Sequence, residues 1–350
     1  MKNLSFDGLR GVAILFVIFC HYFAHSAYSG TGIPLRWHQI DFQSAILNFG
    51  SVGVTLFFIL SAYLLSQNFL IGKYNSLKQY AQKRFFRIYP AFIVSTIIYL
   101  CLYMIFGKYK FAAELNIKFI LVCVTFLQPI FIWTKINAID ISPGTWSLYP
   151  EVYFYLLLPL VMFLLIKLKK PMNILAGFIF LTLVFRSHNY AQPNWSISMS
   201  LIFYLDAFSA GIILSILAEK AKARKFEISE YFGWGLIFIS LTNLLPIVDS
   251  TTTRTIGGVV VIKAIIDGHE SIILRNRIIQ RIGQRSYGLF LVHIYVFWYA
   301  SVPLLDKLHI HKYSLRLLAG GIFGFILSFM LAEMSYRFLE NSKYYQGKRK

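Results

Sequence analysis

Apolar runs long enough to cross a lipid bilayer recur along this chain, and no water-soluble core can bury so many. They fall near residues 9 to 27, 46 to 66, 88 to 106, 147 to 166, 172 to 187, 198 to 217, 231 to 248, 286 to 305 and 315 to 338. Each is close to the ~20 helical residues that span about 30 Å of hydrocarbon. Two further runs are marginal: 117 to 133 is broken by Pro129, and 255 to 273 carries Lys263, Asp267 and Glu270. Hydrophobic residues make up 57% of the chain and charged residues only 14%, where a soluble domain carries about a quarter charged. A backbone in hydrocarbon must satisfy its own polar groups, and runs of this length do so as helices. The pattern predicts an all-α polytopic transmembrane bundle.

Basic residues cluster between the runs, as they do in cytoplasmic loops. Lys73, Lys78, Lys83, Arg84 and Arg87 form one cluster; Lys167, Lys169 and Lys170 a second; Lys220, Lys222, Arg224 and Lys225 a third; Arg275, Arg277, Arg281 and Arg285 a fourth; Lys343, Lys348, Arg349 and Lys350 a fifth. With all five on the cytoplasmic side, the chain must cross an even number of times between the first two, yet three apolar runs lie there. Run 117 to 133, broken by proline, is therefore expected to be a short non-spanning or re-entrant helix. The same parity requires 255 to 273 to cross despite its charges. About ten spans follow, with both termini cytoplasmic.

The first run is followed by others and not by a small-residue cleavage site, which predicts a retained span and not a signal peptide. A net charge of +19 would suit nucleic acid, but clusters so placed face anionic lipid, so no nucleic-acid partner is expected. Cys20, Cys101 and Cys123 lie in apolar runs without metal-type spacing and predict neither a disulfide nor a metal site. Residues 1–342 read as a single membrane domain and 343–350 as a basic cytoplasmic tail.

Within the first run, FDGLRGVAILFVIFCHYF, Arg10 and His21 stand eleven residues apart. A helix places both on one face, about 16 Å apart along its axis. Ionisable groups at membrane depth usually line a cavity or a reaction path. The alternative is that Arg10 marks the helix end and His21 is a hydrogen-bonded core residue. In RFFRIYP, Arg84 and Arg87 precede Pro90, which can open the third span. The two arginines form a fork suited to phosphate or carboxylate; positive-inside anchoring explains the pair equally well.

The stretch SPGTWSLYPEVYFYLLLPL, from Ser142, sets Trp146, Ser147, Glu151 and Tyr153 near the start of a span. Glu151 is there either as a first-turn acid favoured by the helix dipole, with Thr145 or Ser147 as N-cap, or as a carboxylate partner for an imidazolium among rings that stack on sugar. His293, in SYGLFLVH, taken alone fits a structural histidine better than a catalytic one.

Taken together, DGLRGVAILFVIFCH, LFFILSAYLLS, RFFRIYP, TWSLYPEVYFY and SYGLFLVH occur in the order found in the acyltransferase 3 family of integral-membrane O-acyltransferases, which the chain resembles from Phe6 to Glu340. Arg10 and His21 match its R-x10-H pattern, Arg84 and Arg87 its RxxR pattern, and Thr145, Trp146, Ser147, Leu148 and Glu151 its TWSLxxE pattern. Two positions depart from it. Ala62 stands where the family often has Gly, which bears on close helix packing, and Asn341 replaces the Pro that follows the late glutamate, here Glu340.

The resemblance implies the stand-alone form, without the C-terminal esterase-like domain of some relatives, in a bacterial cytoplasmic (inner) membrane. It implies transfer of an acyl group, most often acetyl, from cytoplasmic acyl-CoA to a hydroxyl of a cell-surface polysaccharide such as O-antigen lipopolysaccharide or capsule. On that reading His21 is the general base or a transient acyl carrier. Arg10 holds donor phosphate or developing negative charge, and Glu151 steadies the imidazolium or orients the sugar from the outer side. Arg84 and Arg87, with Arg10, bind acetyl-CoA as co-substrate, and no metal is implied. Trp146, Ser147, Tyr153 and His293 are the candidates for acceptor contact. Partners are then acyl-CoA, a surface glycan or lipid-linked saccharide, and membrane lipid, with homo-oligomerisation left open. A flippase or transporter of a lipid-linked saccharide is the rival reading. It suits many spans and buried cations but leaves the RxxR pair and the R-x10-H spacing unaccounted for.

Overall fold

The computed structural model describes residues 4–26, 36–37, 40–106, 117–127, 144–168, 171–189, 200–220, 229–242, 250–310 and 312–340. Among them the chain is all-helical apart from a two-residue antiparallel ladder, β1 (Arg36–Trp37) against β2 (Ile40–Asp41), in which Arg36 pairs with Asp41 and Trp37 with Ile40. Apart from one short turn at Ile272–Arg275, the α-helices are α1 (Leu4–Ser26), α2 (Phe42–Leu70), α3 (Leu77–Phe106), α4 (Ile117–Val124), α5 (Leu148–Lys167), α6 (Pro171–Asn189), α7 (Leu205–Lys220), α8 (Glu230–Thr242), α9 (Ser250–Asp267), α10 (Arg277–Gln284), α11 (Ser286–Val296), α12 (Val302–Lys307) and α13 (Tyr313–Ser335). One 3-10 turn, Thr145–Ser147, leads into α5 and another, Leu201–Tyr204, into α7; a π turn, Phe297–Ser301, joins α11 to α12, and a second, Tyr336–Glu340, follows α13.

Eight stretches among the described residues are long and apolar enough to cross a membrane: Leu4–Phe23, Asn48–Leu70, Leu77–Phe106, Thr145–Lys167, Pro171–His188, Leu201–Glu219, Ser286–Lys307 and Leu315–Glu340. Their burial separates centre from periphery. In the α2 span 72% of residues are buried, against 17% in that of α6. Leu9 and Ile14 of α1 and Leu56 and Ile59 of α2 are almost wholly enclosed. By contrast α5 exposes Leu156, Leu160, Phe163 and Ile166, and α13 exposes Leu318, Ile322, Ile326 and Met330. Side chains of that kind are stable facing lipid and would be costly facing water.

The run centred on 117 to 133 yields a helix of eight residues, α4, which at about 12 Å is far short of a crossing; residues 128–133 lie outside the described residues. The chain turns after it at Phe126, with φ +58°, and the Tyr153 hydroxyl of α5 donates to the Phe126 carbonyl at 2.7 Å. Helices α8 and α9 pack as a hairpin where Gly233 and Gly257 meet. The charges flagged in this region have partners: Lys263 pairs with Asp267, and Glu270 accepts from Ser5 at 2.9 Å and pairs with Arg275 at 3.5 Å.

Ala62 is fully buried against Gly211 of α7, where a Cβ would collide with Ala62 and the Ile59 carbonyl. The close approach that Ala62 put in question is thus supplied by a glycine on the facing helix. A buried fork also ties α6 to α7. Arg186 donates from Nη2 to Oδ1 of Asp206 at 2.7 Å and from Nη1 to Oδ2 at 3.0 Å, while Nε reaches the Phe203 carbonyl at 3.0 Å. Removing one partner would leave a buried charge uncompensated, at a cost of roughly 3–5 kcal/mol.

Candidate active site

Two cavities enter the bundle around α1. The larger, about 880 Å³, is lined by Asp7, Arg10, Lys73, Arg84, Arg87 and Glu151, among others. α3 begins at Leu77, so Pro90 lies inside it and does not open it. Arg84 and Arg87 consequently sit in already formed helix, three residues apart on one face. Arg87 donates to Glu340 at 2.8 Å and lies over the Tyr287 ring, 5.6 Å from its centroid. Arg84 lies 5.7 Å from the centroid of the Tyr155 ring, and its Nε is buried without a hydrogen-bond partner among the described residues. Arg10 pairs with Asp7 at 2.9 Å, and Gln284 of α10 donates to the other oxygen of that carboxylate at 3.2 Å.

The second cavity, about 440 Å³, is lined by His21, Asn48, Trp146, Tyr204, Ser250 and Arg254, among others. Val17, Val54, Ser147 and Phe290 line both cavities. These four side chains form a waist between an arginine-lined chamber and a histidine-lined one. Val17 is one helical turn before His21 on α1, so the imidazole stands just past the waist. Gly144, with φ +79°, turns the chain into the 3-10 segment beside that ring, a backbone conformation glycine adopts without strain. Trp146 lies 6.2 Å from Tyr204 between ring centroids.

His21 does not stand alone. Its Nδ1 is 2.8 Å from Nε2 of His293, and the two rings meet edge to edge with centroids 5.1 Å apart. Nδ1 of His293 lies 3.0 Å from the Leu289 carbonyl. The second histidine is completely enclosed, on a helix whose residues from Gly288 to Val296 are all buried.

A family profile described as an acyltransferase domain matches residues 3–333. The chain belongs to the acyltransferase 3 family. It is similar to the O-acetyltransferase OatA of Staphylococcus aureus strain NCTC 8325, with 24% identity over 369 aligned positions, covering 95% of this chain and 56% of that protein. OatA of strain COL aligns with the same identity and coverage. A second protein of strain COL, named provisionally as an O-acetyltransferase, is 25% identical over 377 positions. The chain thus spans about half the length of the curated relatives it matches. No solved structure matches it.

The motif residues of this acyltransferase-family chain divide between the two chambers in a way that spacing alone does not give. Glu151 lines the same chamber as Arg10, Arg84 and Arg87. It accepts hydrogen bonds from Ser61 at 3.0 Å and from the Tyr155 hydroxyl. The chain passes His21 at Gly144 before this helix begins, and Glu151 in its first turn reaches the chamber that Arg84 and Arg87 line. Ser147 occupies the N-cap position, but its hydroxyl caps nothing. Tyr153 lines neither cavity and instead holds the Phe126 carbonyl. His293 likewise lines neither, and its Nε2 meets His21. Tyr155 and Ser61 were missed by the sequence reading; only the four-residue spacing of Tyr155 from Glu151 signalled a shared face. Asn48 and Arg254 come from distant helices and left no such signal.

Proposed function

We propose that this protein is a membrane O-acyltransferase that moves an acetyl group from cytoplasmic acetyl-CoA to a hydroxyl of a cell-surface polysaccharide. The observation that carries the reading is the waist shared by the two chambers, with a cluster of arginines on one side and the His21 imidazole just past it on the other. Four cations, Arg10, Lys73, Arg84 and Arg87, face two carboxylates, Asp7 and Glu151, in the first chamber. The buried Arg84 Nε is a donor awaiting an acceptor, and guanidinium groups suit phosphate oxygens. That chamber fits the phosphates of a CoA thioester, whose short acyl end then reaches the waist. The relatives named O-acetyltransferases support the choice of acetyl.

In the second chamber an acceptor sugar stacks on Trp146, with Ser147 at the waist. Its hydroxyl gives a proton to His21 as its oxygen attacks the thioester carbonyl. The new C–O bond forms, the C–S bond breaks, and the CoA thiolate leaves towards the arginines and takes the proton back. Arg10 holds donor phosphate, and Glu151 orders Tyr155 and Ser61 at the donor end. On this reading α8 and α9 add two crossings to the eight long apolar stretches, and the basic clusters support both termini being cytoplasmic, in a bacterial inner membrane.

The test compares surface glycans, by mass spectrometry, from cells with and without the gene, and follows labelled acetyl from acetyl-CoA to the unmodified glycan on the purified protein in lipid nanodiscs. A gain of one acetyl mass per modified repeat, together with label transfer in vitro, is the expected result. Loss of intact glycan from the surface without any change in acetyl content would replace the proposal with transport.

A further inference from the structure

We infer that His293 is a positioning residue for acyl transfer: it fixes the tautomer of His21 so that Nε2 of His21 meets the reacting groups as a bare base. The inference rests on the acyltransferase reading above and adds to it a role for a side chain that touches neither chamber. It starts from the Leu289 carbonyl, which can only accept. Nδ1 of His293, 3.0 Å away, must therefore carry a proton.

Neither ring makes an ion pair with a described residue, and an unpaired charge buried here is strongly disfavoured, so the resting pair is neutral. A neutral imidazole protonated at Nδ1 presents Nε2 as an acceptor. The 2.8 Å contact is then a hydrogen bond from the His21 Nδ1–H to Nε2 of His293. His21 in turn is left with its lone pair on Nε2, which has no partner among the described residues, on a ring that lines the second chamber.

The packing holds this arrangement. His293 is 0% exposed, so its ring has no room to turn over and exchange its nitrogens. The two ring planes lie 29° apart, close enough to coplanar for the facing nitrogens to share a hydrogen bond. When His21 accepts the proton of a hydroxyl, its Nδ1–H still points at an acceptor lone pair, and the charge is met without a change of geometry. The orienting job that a carboxylate performs in nucleophile–base–acid triads is here done by a second imidazole. Glu151, the carboxylate named from sequence for this job, is on the other side of the waist.

Two substitutions and one spectrum test the assignment. His293→Phe keeps a flat ring and removes the acceptor; His293→Gln places an oxygen near the site of Nε2. At saturating acetyl-CoA, His293→Phe is expected to lower kcat about 10²-fold with the KM for acetyl-CoA unchanged, while His293→Gln recovers most of that loss. In the wild-type protein labelled with 15N-histidine, His21 is expected to show a protonated Nδ1 and a bare Nε2, a preference lost in His293→Phe. Wild-type kcat in His293→Phe, or a protonated Nε2 on His21 in the wild-type spectrum, overturns the assignment. Should His293→Phe fail to fold, the wild-type spectrum and the Gln variant decide it. Absence of acetyl transfer by the wild-type protein would overturn the functional reading itself, whereas an active wild type with an equally active Phe variant overturns only the role of His293.

Discussion

The first chamber gathers four cations and two carboxylates from α1, α3, α5 and the turn after α2, whereas the second sets one imidazole among Asn48, Ser250, Trp146, Tyr204 and Arg254. The same helix, α1, serves both: Arg10 faces one and His21 the other. Under the proposed function the contrast separates two physical tasks. Binding a polyanion calls for several fixed positive charges, and such attraction weakens with salt. Moving a proton calls for a single group whose lone pair is aimed and kept dry, and it depends on geometry more than on charge count.

If the two chambers divide the labour in this way, substitutions should fall into two kinetic classes. His21→Ala removes the proton acceptor and is expected to reduce transfer by about 10³-fold or more, with acetyl-CoA binding intact by isothermal titration; comparable losses of binding and turnover would erase the distinction. Val54→Phe fills the waist, and overpacking there costs roughly 1–3 kcal/mol of stability. It is expected to stop transfer while leaving donor binding measurable, and full transfer would show that the path does not pass Val54. Arg84→Ala removes a charged donor worth about 1.5–3 kcal/mol. It should raise the KM for acetyl-CoA roughly 10- to 100-fold by the same magnitude, with less effect on the acceptor. Raising salt well above physiological strength should raise the donor KM a few-fold and leave the acceptor KM unchanged, and a matched rise in both would place charge recognition in both chambers. The smallest effect is expected for Tyr153→Phe, which lines neither: transfer within about twofold of wild type, and a stability loss of about 1 kcal/mol for the bond to Phe126.

Much of the fold was legible because hydrophobic length is a local property. The runs at 9 to 27, 46 to 66 and 286 to 305 became α1, α2 and α11–α12 without help from tertiary context, and the run that Pro129 interrupts yielded only the eight-residue α4 among the described residues. Helix starts were harder to read. Pro90 looked like an opening residue but sits inside α3, because the amphipathic turn from Leu77 to Arg87 extends the helix beyond its apolar stretch. For the site, R-x10-H and RxxR named four residues that the structure places in the linings of two adjoining cavities. The roles of Glu151, Tyr153 and His293 were not legible, since each depends on which neighbour its side chain meets.

Periodicity and apolar length determined that this chain is a helical membrane bundle, and the arginine and histidine spacing on α1 and α3 determined which faces carry its charge. Those are properties of a single helix, fixed by a rise of about 1.5 Å and a turn of 3.6 residues. Only the packing of α1, α2, α5 and α11 decided that Glu151 joins the arginines, that four side chains line both chambers, and that an enclosed His293 meets His21. A hydrogen bond between residues separated by 272 positions is set by how helices are brought together, and no local pattern encodes it.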